Sequence, residues 1–150
     1  MKVVVDTNII FSALLNTSSS IAGFLLTTTP FEFFAPSYLQ TELSKHQEKL
    51  MKLHGSISIE EFVELRFLVT RKINFISEYQ IEQEYWQKAH DLTAKVDNDD
   101  AAFVALALQL NASLWTGDKR LIHGIQSKGF TPVLTTEDMR ELRRELEGRP

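Results

Sequence analysis

The sequence predicts an α/β fold, a three-layer α/β/α sandwich around a mostly parallel central sheet, on three observations. Val3-Val4-Val5 is a short, continuously apolar, β-branched run of the kind a buried parallel strand carries. Strand-like and helical segments alternate along the chain, as they do when helices cover both faces of a parallel sheet. The stretch AAFVALALQL, Ala101 to Leu110, is apolar on every side, and a helix apolar all round is buried on most faces.

Taken in order, the first strand stops at Asp6, and Ile9 to Leu15 reads as a helix. Ser18-Ser19-Ser20 connects it to a second apolar helix, Ile21 to Leu26, closed by Thr27 to Pro30. Phe31 to Phe34 is strand-like, with Pro36 as its stop. Ser37 and Gln40 form a Ser-x-x-Gln pattern, the signature of a capping box, so a helix is expected from there through Glu42 towards Leu53. Gly55 and Ser56 interrupt. Ile59, Phe62, Val63 and Phe67 recur at helical spacing up to about Thr70. Phe75-Ile76 reads as a short strand and Ile81 to Thr93 as a polar-faced helix. The buried helix after Asp97-Asn98-Asp99-Asp100 ends at Asn111, and Ser113 to Thr116 is a strand stopped by Gly117-Asp118. A helix from Lys119 to Ser127, a strand at Pro132 to Leu134 and a charged helix from Thr136 to Glu147 complete the chain.

A chain of 150 residues fits one domain, 1–150, with a core large enough to need no outside help. Hydrophobic residues at 43% and charged residues at 24% are ordinary globular values and argue against disorder. With no cysteine, disulfides, thiolate zinc sites and cysteine nucleophiles are all excluded. MKVVVDTN is far short of a signal-peptide core, and no apolar run approaches the roughly 20 residues of a membrane span. The expectation is a soluble, cytoplasmic protein that does not engage a membrane. The net charge of −4 disfavours a protein that coats nucleic acid passively, since such binding rests on phosphate neutralisation. It leaves open a nuclease in which divalent cations reverse the field of an acidic site.

Four acids converge on one rim in this reading. Ligands of open parallel sheets sit beyond the carboxyl ends of the strands. Asp6 follows the first strand, and Asp118 follows Ser113 to Thr116 after one glycine. Asp100 opens the buried helix that precedes that strand, and Glu42 lies early in a helix that begins after another. Like charges so placed need a neutralising partner, and a hard cation such as Mg²⁺ or Mn²⁺ suits all-oxygen ligands. Each acid also has a plainer role. Asp6, Asp118 and one of Asp99 and Asp100, Asp99 more readily, would serve as helix caps, and Glu42 as an exposed helix residue. His46, His54, His90 and His123 lack metal-ligand spacing and read as surface or packing residues. Arg140, Arg143 and Arg144 alternate with Glu137, Glu141 and Glu145 as a solvated helix face. Lys119-Arg120, a solvent-facing pair, sits beside Asp118, within reach of a substrate phosphate.

VVVDTN, a mid-chain helical glutamate, DDAAFVALALQL and LWTGDKRL together resemble, in order and spacing, the four signatures of the PIN domain over essentially the whole chain. The resemblance implies that Asp6, Glu42, Asp100 and Asp118 hold metal and catalyse. It implies Asn8 and Thr116 as polar supports of the first and last acids, and Asp97 or Asp99 as a further ligand. It implies a metal-dependent ribonuclease hydrolysing RNA phosphodiester bonds, of the kind found as toxins of toxin–antitoxin pairs and neutralised by a small antitoxin protein. Two rival readings stand beside it: a phosphotransfer domain of the receiver or haloacid-dehalogenase-like kind with Asp6 as phosphoacceptor, and a non-catalytic RNA-binding module. Finally, Phe62, Phe67, Leu68, Tyr85 and Trp86 exceed what one face of a small sheet needs, which predicts a homodimer.

Overall fold

The computed structural model describes residues 1–94, 96 and 98–148; Asp97, a candidate extra ligand, lies outside them. Five strands form one parallel sheet: β1 (Lys2–Val5), β2 (Glu32–Pro36), β3 (Ile73–Ile76), β4 (Ser113–Trp115) and β5 (Val133–Leu134). Their order is β3-β2-β1-β4-β5, with Val3 in register with Phe33 on one side and with Ser113 on the other. From β1 the chain steps outwards through β2 to β3, then crosses back to β4 on the other side of β1. The switch between β1 and β4 leaves a crevice at their carboxyl ends, where ligands of such sheets bind.

The right-handedness of parallel crossovers puts the helices of the two directions on opposite faces. One group holds α1 (Thr7–Leu15), α2 (Ser20–Leu26), α3 (Tyr38–Lys45), α4 (Gln47–Leu53) and α5 (Ile59–Thr70), with α1 packed against each of the others. The other holds α6 (Gln83–Thr93), α7 (Ala101–Leu110) and α8 (Lys119–Gln126). There α7 lies against β1, β2 and β4, and α6 packs on α7 and α8. The last helix, α9 (Thr136–Leu146), packs on β5. Val3, Val4 and Val5 are fully buried, and so is α7 from Ala101 to Ala107, as their apolar runs require. Trp115 closes the core, its ring 5.5 Å from Phe24 and 5.9 Å from Phe33, while its Nε1 donates to Thr136 Oγ1 at 3.1 Å. Among the described residues no single helix is long and apolar enough to cross a membrane.

β2 ends at Pro36, as expected, with Pro36 paired to Ile76. Two local expectations are corrected. Ser37 makes no side-chain cap: its backbone is already helical (φ −56°, ψ −23°), and the amide of Tyr38 donates instead to Glu78 Oε1 at 2.5 Å. The helix expected from Ser37 to Leu53 breaks at His46 into α3 and α4. The capping box that does form lies at Ser58 and Glu61, heading α5. Gly55 and Ser56 before it take positive φ, 103° and 67°, which makes the turn.

The aromatic surplus resolves into two parts. Phe62 is buried, Tyr85 and Trp86 pack partly against the core and Leu68 is half-buried, leaving Phe67 64% exposed. Two histidines pack on aromatic rings, His46 edge-on to Phe11 and His90 stacked on Trp86. Arg140 and Arg143 do more than pair with Glu137 and Glu147: they reach Ser20 Oγ and the Thr28 carbonyl and tie α9 to the α2 region.

Candidate active site

Asp6 is the first residue beyond β1 and the N-cap of α1. Its extended backbone (φ −74°, ψ 151°) lets Oδ1 accept from the Thr7 amide at 2.8 Å, and its own N–H donates to the Trp115 carbonyl at 3.0 Å. Oδ2 accepts from the Thr116 hydroxyl at 2.6 Å. Thr116 is fully buried and Asp6 only 6% exposed, so this is a carboxylate held inside the protein between two strand ends. The hydroxyl of Thr116 also accepts from the Asp118 amide at 3.1 Å, which folds the Gly117-Asp118 turn back onto β4.

Asp118 heads α8, where Oδ1 accepts from the amides of Arg120 (3.0 Å) and Leu121 (3.2 Å). Glu42, half-buried on α3, is no plain surface residue: its Oε1 accepts from the Thr7 hydroxyl at 2.7 Å. Three acids spread over 113 residues of sequence thus join one network through two threonines. Burial pushes the Asp6 carboxyl up to about 6, against the pull of its hydrogen bonds from Thr116 and Thr7, and the carboxylates of Asp118 and Glu42 add to the rise.

Asp100 holds the N-cap position of α7, where its side chain makes no capping bond. Both lie in the 3-10 turn Asn98–Asp100. Because α7 returns into β4 through two residues, its head points towards the carboxyl edge of the sheet. Among the described residues no three acidic or histidine side chains stand close enough to ligate one ion. The expected sharing of a cation by Asp6, Asp100 and Asp118 is therefore not seen. The reason is local: Asp6 turns its oxygens to Thr7 and Thr116, Glu42 Oε1 faces the Thr7 hydroxyl, and Asp118 Oδ1 faces the amides of α8. The donor chemistry does fit a hard divalent cation. These are carboxylate oxygens, and a buried acid crowded by two others holds the charge such an ion offsets.

Thr116 joins the first and last acids, its hydroxyl donating to Asp6 Oδ2 and accepting from the Asp118 amide. Asn8 makes no hydrogen bond to Asp6, and its Oδ1 is buried without a hydrogen-bond partner. Thr7 is the residue the sequence reading passed over. The available signal was its place after the capping acid, where a hydroxyl at the head of a helix can reach a neighbouring element.

The chain matches the family model of the PIN domain over residues 4–146. Among solved structures, it is similar to VapBC2 from Rickettsia felis, bound to a DNA fragment from their promoter, at 18% identity and a TM-score of 0.65. That match covers 90% of this chain and 97% of the other. VapBC-1 from nontypeable Haemophilus influenzae is similar at 21% identity and the same TM-score of 0.65, covering 91% and 99%. No curated protein matches it.

Proposed function

This chain belongs to the PIN domain family, and from that premise we propose that it is a metal-dependent endoribonuclease, hydrolysing RNA phosphodiester bonds as the cytoplasmic toxin of a toxin–antitoxin pair. The observation that carries the reading is the Asp6 carboxylate, buried between Thr7 and Thr116 with Glu42 and Asp118 beside it at the switch point of the sheet. Asp6, Glu42, Asp100 and Asp118 would hold Mg²⁺ or Mn²⁺, with Asp99 at the same helix head. A bound ion of this kind polarises a phosphoryl oxygen and supplies a nucleophilic water near neutral pH.

The chain's own residues set up that chemistry. Thr116 and the Thr7 amide fix both oxygens of Asp6, so the acid costs no reorientation when substrate arrives. The Thr7 hydroxyl holds Glu42 towards the same rim. Lys119 and Arg120, exposed beside Asp118, are placed to draw in an RNA phosphate. The similarity to VapBC structures supports a small antitoxin protein as partner; a homodimer is proposed as the working form from the apolar surplus of the middle helices. Burial of Asp6 weighs against the phosphotransfer reading, since a phosphoacceptor must meet its donor and this carboxylate is 6% exposed with both oxygens engaged.

The test is cleavage of several RNAs with and without Mg²⁺ or Mn²⁺, beside incubation with a small phosphodonor. Divalent-dependent cleavage is expected. A stable acyl phosphate on Asp6, or RNA binding without cleavage under any metal, would contradict the proposal.

A further inference from the structure

Helix α9 reads in sequence as alternating charge, and the fold sorts it. Asp138, Glu141 and Glu145 border a groove beside β5, whereas Arg140, Arg143 and Arg144 border a cleft of about 620 Å³ between α9 and α2. Arg140 is fixed there by Ser20 Oγ, at 2.6 Å, and Arg143 by the Thr28 carbonyl and by the Phe24 ring, 5.5 Å from its guanidinium. The positive edge continues past the cleft. Lys72 donates to the carbonyl of Thr27, next to the one that Arg143 meets. Its ammonium is held below the ordinary lysine value by its own desolvation and then by the charges of Arg71 and Arg143. Five cations thus gather on a chain of net charge −4, and the acids bordering the cleft, Glu137 and Glu147, are already paired with Arg140 and Arg143. Like charges brought this close are unfavourable until an anion covers them.

The cluster stands at the opposite edge of the sheet from the carboxylates. Lys72 immediately precedes β3, and Thr27 and Thr28 lead towards β2, so these cations mark the amino ends of strands, while Asp6 and Asp118 follow the carboxyl ends of β1 and β4. Helix α9 joins the two edges: Thr136 meets Trp115 of β4, and Arg144 lies about 12 Å further along the helix. Hydroxyl residues, Ser18 to Ser20 and Thr27 to Thr29, bracket α2 at both ends. Guanidinium, ammonium and small hydroxyl groups are the ones that contact nucleic-acid phosphates. We propose that this cleft is a second RNA-binding site, which takes the phosphate backbone of the substrate away from the bond that is cut and so selects RNA long enough to reach both edges. At about 3.4 Å per nucleotide in a helical strand, the reach is at least about four nucleotides to one side of the cut. An acidic peptide would need an open apolar anchor point, and Phe24 at the floor of the cleft is 2% exposed beneath Arg143. What the bound RNA is for rests on the ribonuclease reading; that it binds does not.

The test reads binding apart from cleavage. Arg71 and Arg144 are exposed, and among the described residues no hydrogen bond or ion pair engages either. Arg71→Glu with Arg144→Glu should therefore keep the circular dichroism spectrum and melting temperature of the wild type. By fluorescence anisotropy in EDTA, a hairpin RNA of about 30 nucleotides should bind this double variant about 100-fold more weakly, and the slope of log affinity against log salt should flatten by about 2. Lys49→Glu with Lys52→Glu, at exposed positions of α4, makes the same change in net charge and should shift affinity by less than about threefold. In Mn²⁺, cleavage of the hairpin by the arginine variant should show a raised KM with kcat held. A loss of affinity no greater than in the lysine variant, an unchanged salt slope, or poly-glutamate competing as strongly as RNA would each overturn the site. Arginine-dependent RNA binding by a protein that cuts no RNA under any metal would support the site and count against the ribonuclease reading alone.

Discussion

Two strand ends in this molecule carry an aspartate that caps the next helix, and they differ in what surrounds the acid. Asp118 caps α8 from a half-buried turn, its Oδ1 shared by two amides, which is the ordinary service of an N-cap. Asp6 caps α1 through a single amide but is nearly sealed from water, hydrogen-bonded to a buried threonine and raised to about 6 by that burial and by two nearby carboxylates. A cap contributes about 1 kcal/mol. A carboxyl raised by about two units costs ~3 kcal/mol at neutral pH. Asp6 is therefore held in the fold at a net cost even with its Thr7 and Thr116 bonds counted, the imbalance expected of a group kept for function rather than for folding.

The largest expected effect tests that imbalance directly. Asp6→Asn keeps the cap and removes the charge. RNA cleavage should fall by about 100-fold or more, while Asp118→Asn should lose activity with little gain in stability. Equal stability gains at the two positions would erase the distinction drawn between them. Next in size is Thr116→Val, which removes the hydroxyl joining the two acids. Cleavage should drop about 10–100-fold, as it does when the group orienting a metal-holding carboxylate is lost. Wild-type activity in this variant would show that the Thr116 bond is structural only.

The pH dependence of stability follows from the direction of the Asp6 shift. Its folded value, about 6, lies above the unfolded 3.8, so the folded state binds the extra proton and the cost is present in full above about pH 6. As pH falls through that window the cost fades, and below about 4 it is gone. Metal-free Asp6→Asn should therefore melt above wild type at pH 7 to 8, and the two melting curves should converge towards pH 4. An advantage constant across this range would mean that Asp6 titrates at its ordinary value.

Much of this was legible from residue pattern because one face of each element is decided by burial. Val3 to Val5 and Ala101 to Leu110 are apolar without interruption, and both became the buried centre of the sheet and its covering helix. The rim positions of Asp6 and Asp118 follow from where those strands stop. What escaped was decided by contacts between distant segments. The Thr7 bond to Glu42 joins residues 35 apart, and the Glu78 carboxylate at the Tyr38 amide comes from 40 residues away. That second contact goes with the loss of the capping box read at Ser37: with the backbone there already helical, the hydroxyl has no amide to meet. Asn8, expected to support Asp6, makes no hydrogen bond to it, while the first turn of α1 brings Thr7 to both Asp6 and Glu42.

The smallest prediction uses that pair of sequence patterns. Ser58→Ala breaks a formed capping box and should lower stability by about 1 kcal/mol. Ser37→Ala breaks none and should change it by less than about 0.5 kcal/mol. Urea unfolding of the two variants side by side checks both, and an equal loss would restore the box at Ser37.

The most direct test of the central claim lies at the head of α7. Asp100 makes no capping bond there, so Asp100→Asn sacrifices no cap and little shape. If Asp100 helps hold the ion, RNA cleavage across a Mn²⁺ titration should fall by orders of magnitude and recover in part at high metal, with metal-free melting unchanged or raised, while Asp99→Asn keeps its activity. Cleavage by Asp100→Asn at the wild-type level, with the wild-type dependence on Mn²⁺, would contradict the carboxylate site proposed for this chain.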